Sequence, residues 1–182
     1  MFGRRWLNAP IILVGVLPLL VACPAAPRGP VAVPSPSPSH TKQATHGPFL
    51  PECGGANDQT ITQLTGVTGL VNTAHNSVGC QWLVHGSIVG PWISFSWFRG
   101  SPIGRERKNE DYTRSTVNDI TIDGHSGYIA VATDRLGTRL CDVAIQYQDD
   151  FFEWSVKFVK KPFPNPCDIA TELSRQTIAA VK

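Results

Sequence analysis

Residues 139–159 read "RLCDVAIQYQDDFFEWSVKFV". Two runs of alternating character flank an Asp-Asp pair. In the second run Phe152, Trp154, Val156 and Phe158 fall on one side, and Glu153, Ser155 and Lys157 on the other. Side chains on a strand alternate with period two, so this pattern is a strand with one face toward a core and one toward polar surroundings. Asp149 and Asp150 are favourable turn residues. Two strands joined by so tight a turn pair antiparallel. The stretch therefore predicts a hairpin in an antiparallel sheet.

The neighbouring sequence extends the sheet. "VNDITID" (117–123) and "SGYIAVAT" (126–133) flank the turn "DGHSG" (123–127). Upstream, "VGCQWLVH" (78–85) and "PWISFSWFRG" (91–100) read as strands separated by a glycine-containing turn. In the latter, Ile93, Phe95 and Trp97 share one face, and Trp92, Ser94, Ser96 and Phe98 the other.

Three helices are expected. "ANDQTITQLTGVTG" (56–69) opens with Asn57 and Asp58 as capping residues and stops at Gly66. Ser101 as cap and Pro102 in the first turn start a helix through "IGRERKNEDY" (103–112). Asn165-Pro166-Cys167-Asp168 starts a third, whose stripe Ile169, Leu173, Thr177, Ile178 and Val181 covers the apolar sheet face. The expected class is α+β: a single antiparallel sheet of about six strands with flanking helices. Its topology resembles that of compact Mog1/PsbP-type sandwiches, a fold analogy that carries no function.

The N-terminus describes an address. "MFGRRWLNAPIILVGVLPLLVAC" has a basic start at Arg4 and Arg5, an apolar run from Ile11 to Val21, then small residues and Cys23. This is a secretory signal, residues 1–22, rather than a membrane anchor; the apolar run is short for about 30 Å of hydrocarbon. Residues 23–48 are rich in proline and serine and read as a disordered linker lifting a domain off a membrane. Residues 49–182 form the globular domain. His40 and His46 fall in the linker and read as solvated.

With 182 residues, 42% apolar and 16% charged, the chain has material for one packed domain. Its net charge of +2 reflects Arg4 and Arg5, which precede Cys23 where no acid does; without them the basic and acidic side chains number 14 each. A near-neutral domain lacks the electrostatic footprint of a nucleic-acid binder.

Five cysteines leave one over in an exported protein. Setting aside Cys23, at the end of the signal segment, leaves Cys53, Cys80, Cys141 and Cys167, which allow three pairings. Cys53–Cys80 and Cys141–Cys167 are favoured because each ties a local unit together, for about 2–4 kcal/mol per bridge. No zinc-ligand spacing is present, so neither a metal nor a cofactor is expected.

Leu20-Val21-Ala22-Cys23 resembles the lipobox of bacterial lipoproteins. That resemblance implies that the Cys23 thiol takes a diacylglycerol, that cleavage precedes it, and that the chain is held at the extracytoplasmic face of the cell membrane. Each buried CH₂ would add about 0.8 kcal/mol of anchoring. Further along, "FLPECGG" (49–55), "TGLVNTAHNSVGCQW" (68–82), "FSWFRGSPIGRER" (95–107), "TIDGHSGYIA" (121–130), "FFEWSVKF" (151–158) and "PFPNPCDIA" (162–170) resemble a family of mycobacterial and related actinobacterial lipoproteins of unknown function, of the LprB/LprC type. The resemblance spans nearly all of residues 46–182. It supports lipid anchoring and four domain cysteines, and implies no chemistry.

Three constellations are candidate sites. Arg99, Arg105 and Arg107 lie near a glycine-containing helix start, where an anion can bind. Asp149, Asp150 and Glu153, with His125, form a conceivable acid/base set, since glycoside hydrolysis needs two carboxylates about 5–9.5 Å apart. Trp92 and Phe98 lie off the main apolar face beside Ser94 and Ser96, and if exposed would make a lipid- or glycan-binding surface. The favoured reading is a non-catalytic binding or accessory module for an envelope lipid, glycan or membrane-protein partner. The alternative is a cell-envelope hydrolase using the acidic cluster.

Overall fold

The computed structural model describes residues 43–85, 90–135 and 137–181. The expected signal segment, Cys23, most of the expected linker and residues 86–89, where a glycine-containing turn is expected, lie outside them. The described chain runs through a short turn, Glu52–Gly55, then α1 (Asp58–Thr65), β1 (Leu70–Asn76), β2 (Gly79–Val84), β3 (Trp92–Phe98), α2 (Ile103–Thr113), β4 (Thr116–Ile122), β5 (His125–Asp134), β6 (Gly137–Tyr147), β7 (Asp150–Lys157) and α3 (Pro166–Ala180). Among the described residues, seven strands form one antiparallel sheet in the order β1-β2-β3-β7-β6-β5-β4. This is the expected α+β class with one strand more than the expected six. The extra strand, β1, carries Asn72, Thr73, His75 and Asn76, shows no alternation, and buries only Leu70. It is an edge strand, held by backbone pairing to β2 rather than by a buried face.

Local chemistry sets the helix ends. The Asn57 side chain accepts from the Thr60 amide at 2.9 Å, and Gly66 closes α1 at φ 67°. Asn165 accepts from the Cys167 amide at 3.1 Å, with Pro166 in the first turn. The start of α2 differs from the reading above. Its cap position is Pro102, with no side-chain cap, and the Ser101 hydroxyl instead accepts from Arg105 at 2.7 Å.

The core lies between one sheet face and α3. β7 is the middle strand of the seven, and it presents Phe152, Trp154 and Val156, all fully buried, to this side. Each such side chain contributes about 2 kcal/mol relative to exposure. Trp82 stacks on Trp154 at 5.8 Å, and Phe95 meets Trp154 at 5.1 Å. From α3, Ile169, Ala170 and Leu173 close the layer. The Cys53–Cys80 disulfide joins the first turn to β2, and Cys141–Cys167 joins β6 to the first turn of α3, with Cα–Cα distances of 5.3 and 5.1 Å.

One buried polar junction holds three elements together. The Thr177 hydroxyl accepts the Trp154 indole N–H at 2.9 Å and lies 2.9 Å from the Gly54 carbonyl oxygen. The chain can pass this close because residue 54 is glycine. A Cβ there would sit 2.7 Å from Thr177 Oγ1 and 2.9 Å from the Phe95 ring, and φ is +63°. Thr177→Val keeps the shape and removes the partner of a buried indole N–H. We expect a loss of about 1–3 kcal/mol in denaturant unfolding, whereas a change within error would mean that the junction adds no stability.

Candidate functional site

The opposite sheet face is divided. Toward β4 and β5 it is covered by α2, where Ile103 packs with Phe98 on Tyr128, Ala130, Ala144 and Phe151. α2 is otherwise highly charged, and Ile103 is its only aliphatic residue beyond the sheet edge it covers. Toward β2, β3 and β7 no helix among the described residues covers the face.

Strand register builds that open region. One row across β2, β3, β7 and β6 carries Gln81, Ser94, Ser155 and Asp142; the next carries Gly79, Ser96, Glu153 and Ala144. These are small or polar side chains where the other face has aromatics. The result is a cleft of about 320 Å³ floored by these rows, with Asn76 at one side, Arg114 at another and Trp92 at its rim. Trp92 remains 37% exposed.

The charges of the cleft are largely consumed within it. Arg114, just past α2, donates from Nε to Asp142 Oδ2 at 2.7 Å and pairs with Glu110 at 2.9 Å. The Ser155 hydroxyl donates to Asp142 Oδ1, so both oxygens of this buried carboxylate are engaged. The Tyr128 hydroxyl donates to Glu153 Oε2 at 2.8 Å. Burial, followed by the negative charge of Asp142, pushes the Glu153 carboxyl up to about 8, against the Tyr128 hydrogen bond. Burial and Asp142 raise Glu110 in the same way. Near neutrality, Glu153 is thus mainly a protonated carboxyl that can donate a hydrogen bond.

The other residues selected from the sequence are dispersed. Phe98 stacks on Phe151 at 4.4 Å beneath α2 and is core, whereas Trp92 is at the cleft. The three arginines do not converge. Arg105 bonds Ser101, Arg107 pairs with Asp119, and Arg99 lies over the Phe49 and Trp97 rings at the far end of β3. His125 stacks on Tyr147 at 4.3 Å, at the β4–β5 turn. Strand alternation places it on the face opposite Glu153.

Asp149 and Asp150 lie at the β6–β7 turn, away from the cleft. Asp149 is exposed and accepts from the Thr45 amide at 2.7 Å. Asp150 is buried. Its oxygens accept from His46 Nδ1 at 2.8 Å, the Gly100 amide at 2.7 Å and the Gly47 amide at 3.1 Å, with Arg99 Nε 3.9 Å away. Burial opposes its charge, but the His46 and Gly100 hydrogen bonds and the Arg99 charge outweigh this and hold the carboxyl below its ordinary range. Thr45, His46 and Gly47 thereby dock on the domain, and His46 forms an isolated bridge to Gln148. Asp150 is a clasp for the incoming chain, and its signal in the sequence was a turn aspartate followed by a strong strand.

Cys53, His75 and Cys80 form a group with metal-ligand spacing among the described residues. Both thiols are spent in the disulfide, and His75 pairs with Glu52. A hollow of about 400 Å³ beside the end of α1 is lined mainly by Val67, Pro91, Phe158, Pro162, Phe163 and Pro164, with Lys160. Among the described residues its lining holds no acid, and Thr65 is its one hydroxyl residue.

Two outcomes follow. Asp150→Ala leaves two amides and His46 without their acceptor, and should cost about 3 kcal/mol or more and speed hydrogen exchange at the Gly47 and Gly100 amides; unchanged exchange would refute the clasp. For Glu153, the folded chain holds the proton more tightly than the unfolded one, so its contribution to stability is greatest below its ordinary value of 4.5 and declines as pH rises toward about 8. Glu153→Gln retains an acceptor for Tyr128 and should flatten the fall in Tm across that interval. Equal slopes for the two proteins would show that Glu153 titrates normally.

The chain was compared with known proteins. No solved structure matches it. A family model described as "Protein of unknown function (DUF3558)" matches residues 18–180. A Mycobacterium bovis protein named "Putative lipoprotein LprB" is 56% identical over 180 residues, covering 98% of this chain and 97% of the relative. A Mycobacterium leprae protein of the same name is 58% identical over 174 residues, covering 94% of this chain and 92% of its own. With matches of this extent, the chain belongs to the DUF3558 family, whose function is unknown, and it is similar over nearly its full length to mycobacterial proteins named as lipoproteins.

Proposed function

We propose that this protein is a lipid-anchored module of the cell envelope that binds a polar ligand in the β2–β3–β7 cleft. Cys23 would be acylated and held at the extracytoplasmic face of the membrane. The stretch after it would serve as a stalk, and the clasp at Asp150 would fasten that stalk to the domain. The lipobox residues Leu20 to Cys23 support the anchor, as do relatives named as lipoproteins over nearly their full length. Two disulfides suit an oxidising compartment.

The observation that carries the binding reading is the cleft itself. A sheet face floored by Gln81, Ser94, Ser96, Ser155 and Glu153 is left open although the same sheet is sealed elsewhere by α2 and α3. Concave sites with a few convergent polar groups and a carboxyl of perturbed pKa are where ligands bind.

A hydrolase is the rival, and Glu153 is the feature that favours it. A proton-donating carboxyl needs a second carboxylate as base or nucleophile. Asp142 has both oxygens engaged by Ser155 and Arg114, and Asp150 is enclosed by His46, Gly47 and Gly100. Binding without catalysis accounts better for this arrangement.

The test has two parts. Cys23→Ala should abolish labelling by a fatty-acid analogue and move the protein from membrane to soluble fractions; retained labelling would end the anchor reading. A photoreactive amino acid in place of Ala74, an exposed residue lining the edge of the cleft, should crosslink an envelope component in intact cells, and one in place of Tyr112, which is 90% exposed on α2, should not. Equal capture from both positions would remove the cleft as the binding site.

A further inference from the structure

We infer that the cleft takes an uncharged, polyhydroxylated ligand, a short stretch of saccharide, with Trp92 as its stacking platform and Ser94, Ser96 and Gln81 as partners for its hydroxyls. This rests on the reading of the cleft as a binding site and specifies what occupies it.

The size and shape come from the register. Ser94 faces Gln81 on one side and Ser155 on the other, and Ser96 lies between Gly79 and Glu153. Glycine and serine keep the floor low, so a flat ring can approach the sheet. At about 320 Å³ the space is near the lower end of the range of about 300–1,000 Å³ that holds small ligands. Trp92, on the same strand face as Ser94 and Ser96, stands at the rim with a partly exposed indole. An aromatic ring beside hydroxyls and an amide matches a sugar, which has an apolar C–H face and a polar edge.

Charge selects among polar ligands. The Arg114 guanidinium is neutralised by Asp142 and Glu110, so it offers little to an anion. Asp142 is buried and doubly bonded, so it offers little to a cation. Glu153, held mainly protonated at neutral pH, adds a donor rather than a charge. An acyl chain in this space would cover Ser94, Ser96 and Gln81 without replacing their hydrogen bonds to water, which is unfavourable. The residues lining the cleft therefore offer an anionic sugar no cation that is not already matched by a carboxylate. A neutral glycan satisfies the hydroxyls and violates nothing.

The experiment uses the full chain carrying Cys23→Ala, so that no membrane is needed. Calorimetric titrations are run with maltotriose, cellotriose and mannotriose as neutral probes, trigalacturonic acid as an anionic probe and lauric acid as an apolar one. Saturable binding of at least one neutral trisaccharide is expected. Trp92→Ala and Ser96→Leu should each weaken it tenfold or more with Tm unchanged, and Trp92→Phe should restore most of the affinity. Binding of trigalacturonic acid or lauric acid alone, neutral binding indifferent to Trp92→Ala, or no saturable binding at millimolar concentrations would each overturn the inference. If the neutral probes fail while position 74 still crosslinks an envelope component in cells, the ligand class is wrong and the binding module stands. If position 74 also captures nothing, the binding reading falls with it.

Discussion

Strand β7 has to serve two unlike layers at once. It is the central strand, flanked by β3 and β6, and its side chains must alternate. One set, Phe152, Trp154 and Val156, meets α3 and the tryptophan-rich core. The other set, Phe151, Glu153 and Ser155, cannot reach that core and must be satisfied on the opposite side. Register then copies the division to both neighbours: Phe95 stands beside Trp154, and Ser94 beside Ser155. A slip of one residue would exchange the faces, placing Glu153 in the core and Trp154 in the cleft. The apolar layer therefore fixes the position of the polar one, and the stability of the core is what keeps the cleft in register.

Two buried carboxylates show how the fold uses charge at its margins. Asp150 receives donors from His46, Gly47 and Gly100, and Asp142 receives donors from Arg114 and Ser155. Neither is a bare ion pair. Multiple hydrogen bonds offset the cost of desolvation, which a lone buried charge cannot recover. Each also joins segments distant in sequence. Asp150 holds the incoming N-terminal segment and the turn after β3. Asp142 holds the end of α2 on β6, and in doing so it sets the wall of the cleft.

The two disulfides brace one side of the sheet. The disulfide from Cys53 to Cys80 secures the entry of the chain, and that from Cys141 to Cys167 secures the final helix. Both bridges reinforce the α3 side of the sheet and leave the cleft side to α2 alone. Among the described residues the cleft face is thus the one free of crosslinks, while the opposite face carries the rigid scaffold.

Much of this protein is local in origin and legible in the chain. The capping of α1 by Asn57 and of α3 by Asn165 involves atoms within three residues of each other. Alternation in 151–158 announces a strand with a polar face. β1 escaped because an edge strand needs no apolar period; its order comes from β2. The clasp at Asp150 escaped because its partners lie 50, 103 and 104 residues away, at Gly100, Gly47 and His46. In the same way, the composition shows Ser94, Ser96, Glu153 and Ser155 as outward-facing on their own strands but cannot say that those strands are adjacent. Secondary structure and its faces follow from short-range sterics and periodicity, which the residues carry with them. The cleft follows from which strands meet and what α2 leaves uncovered, and only the packing of the whole sheet decides that.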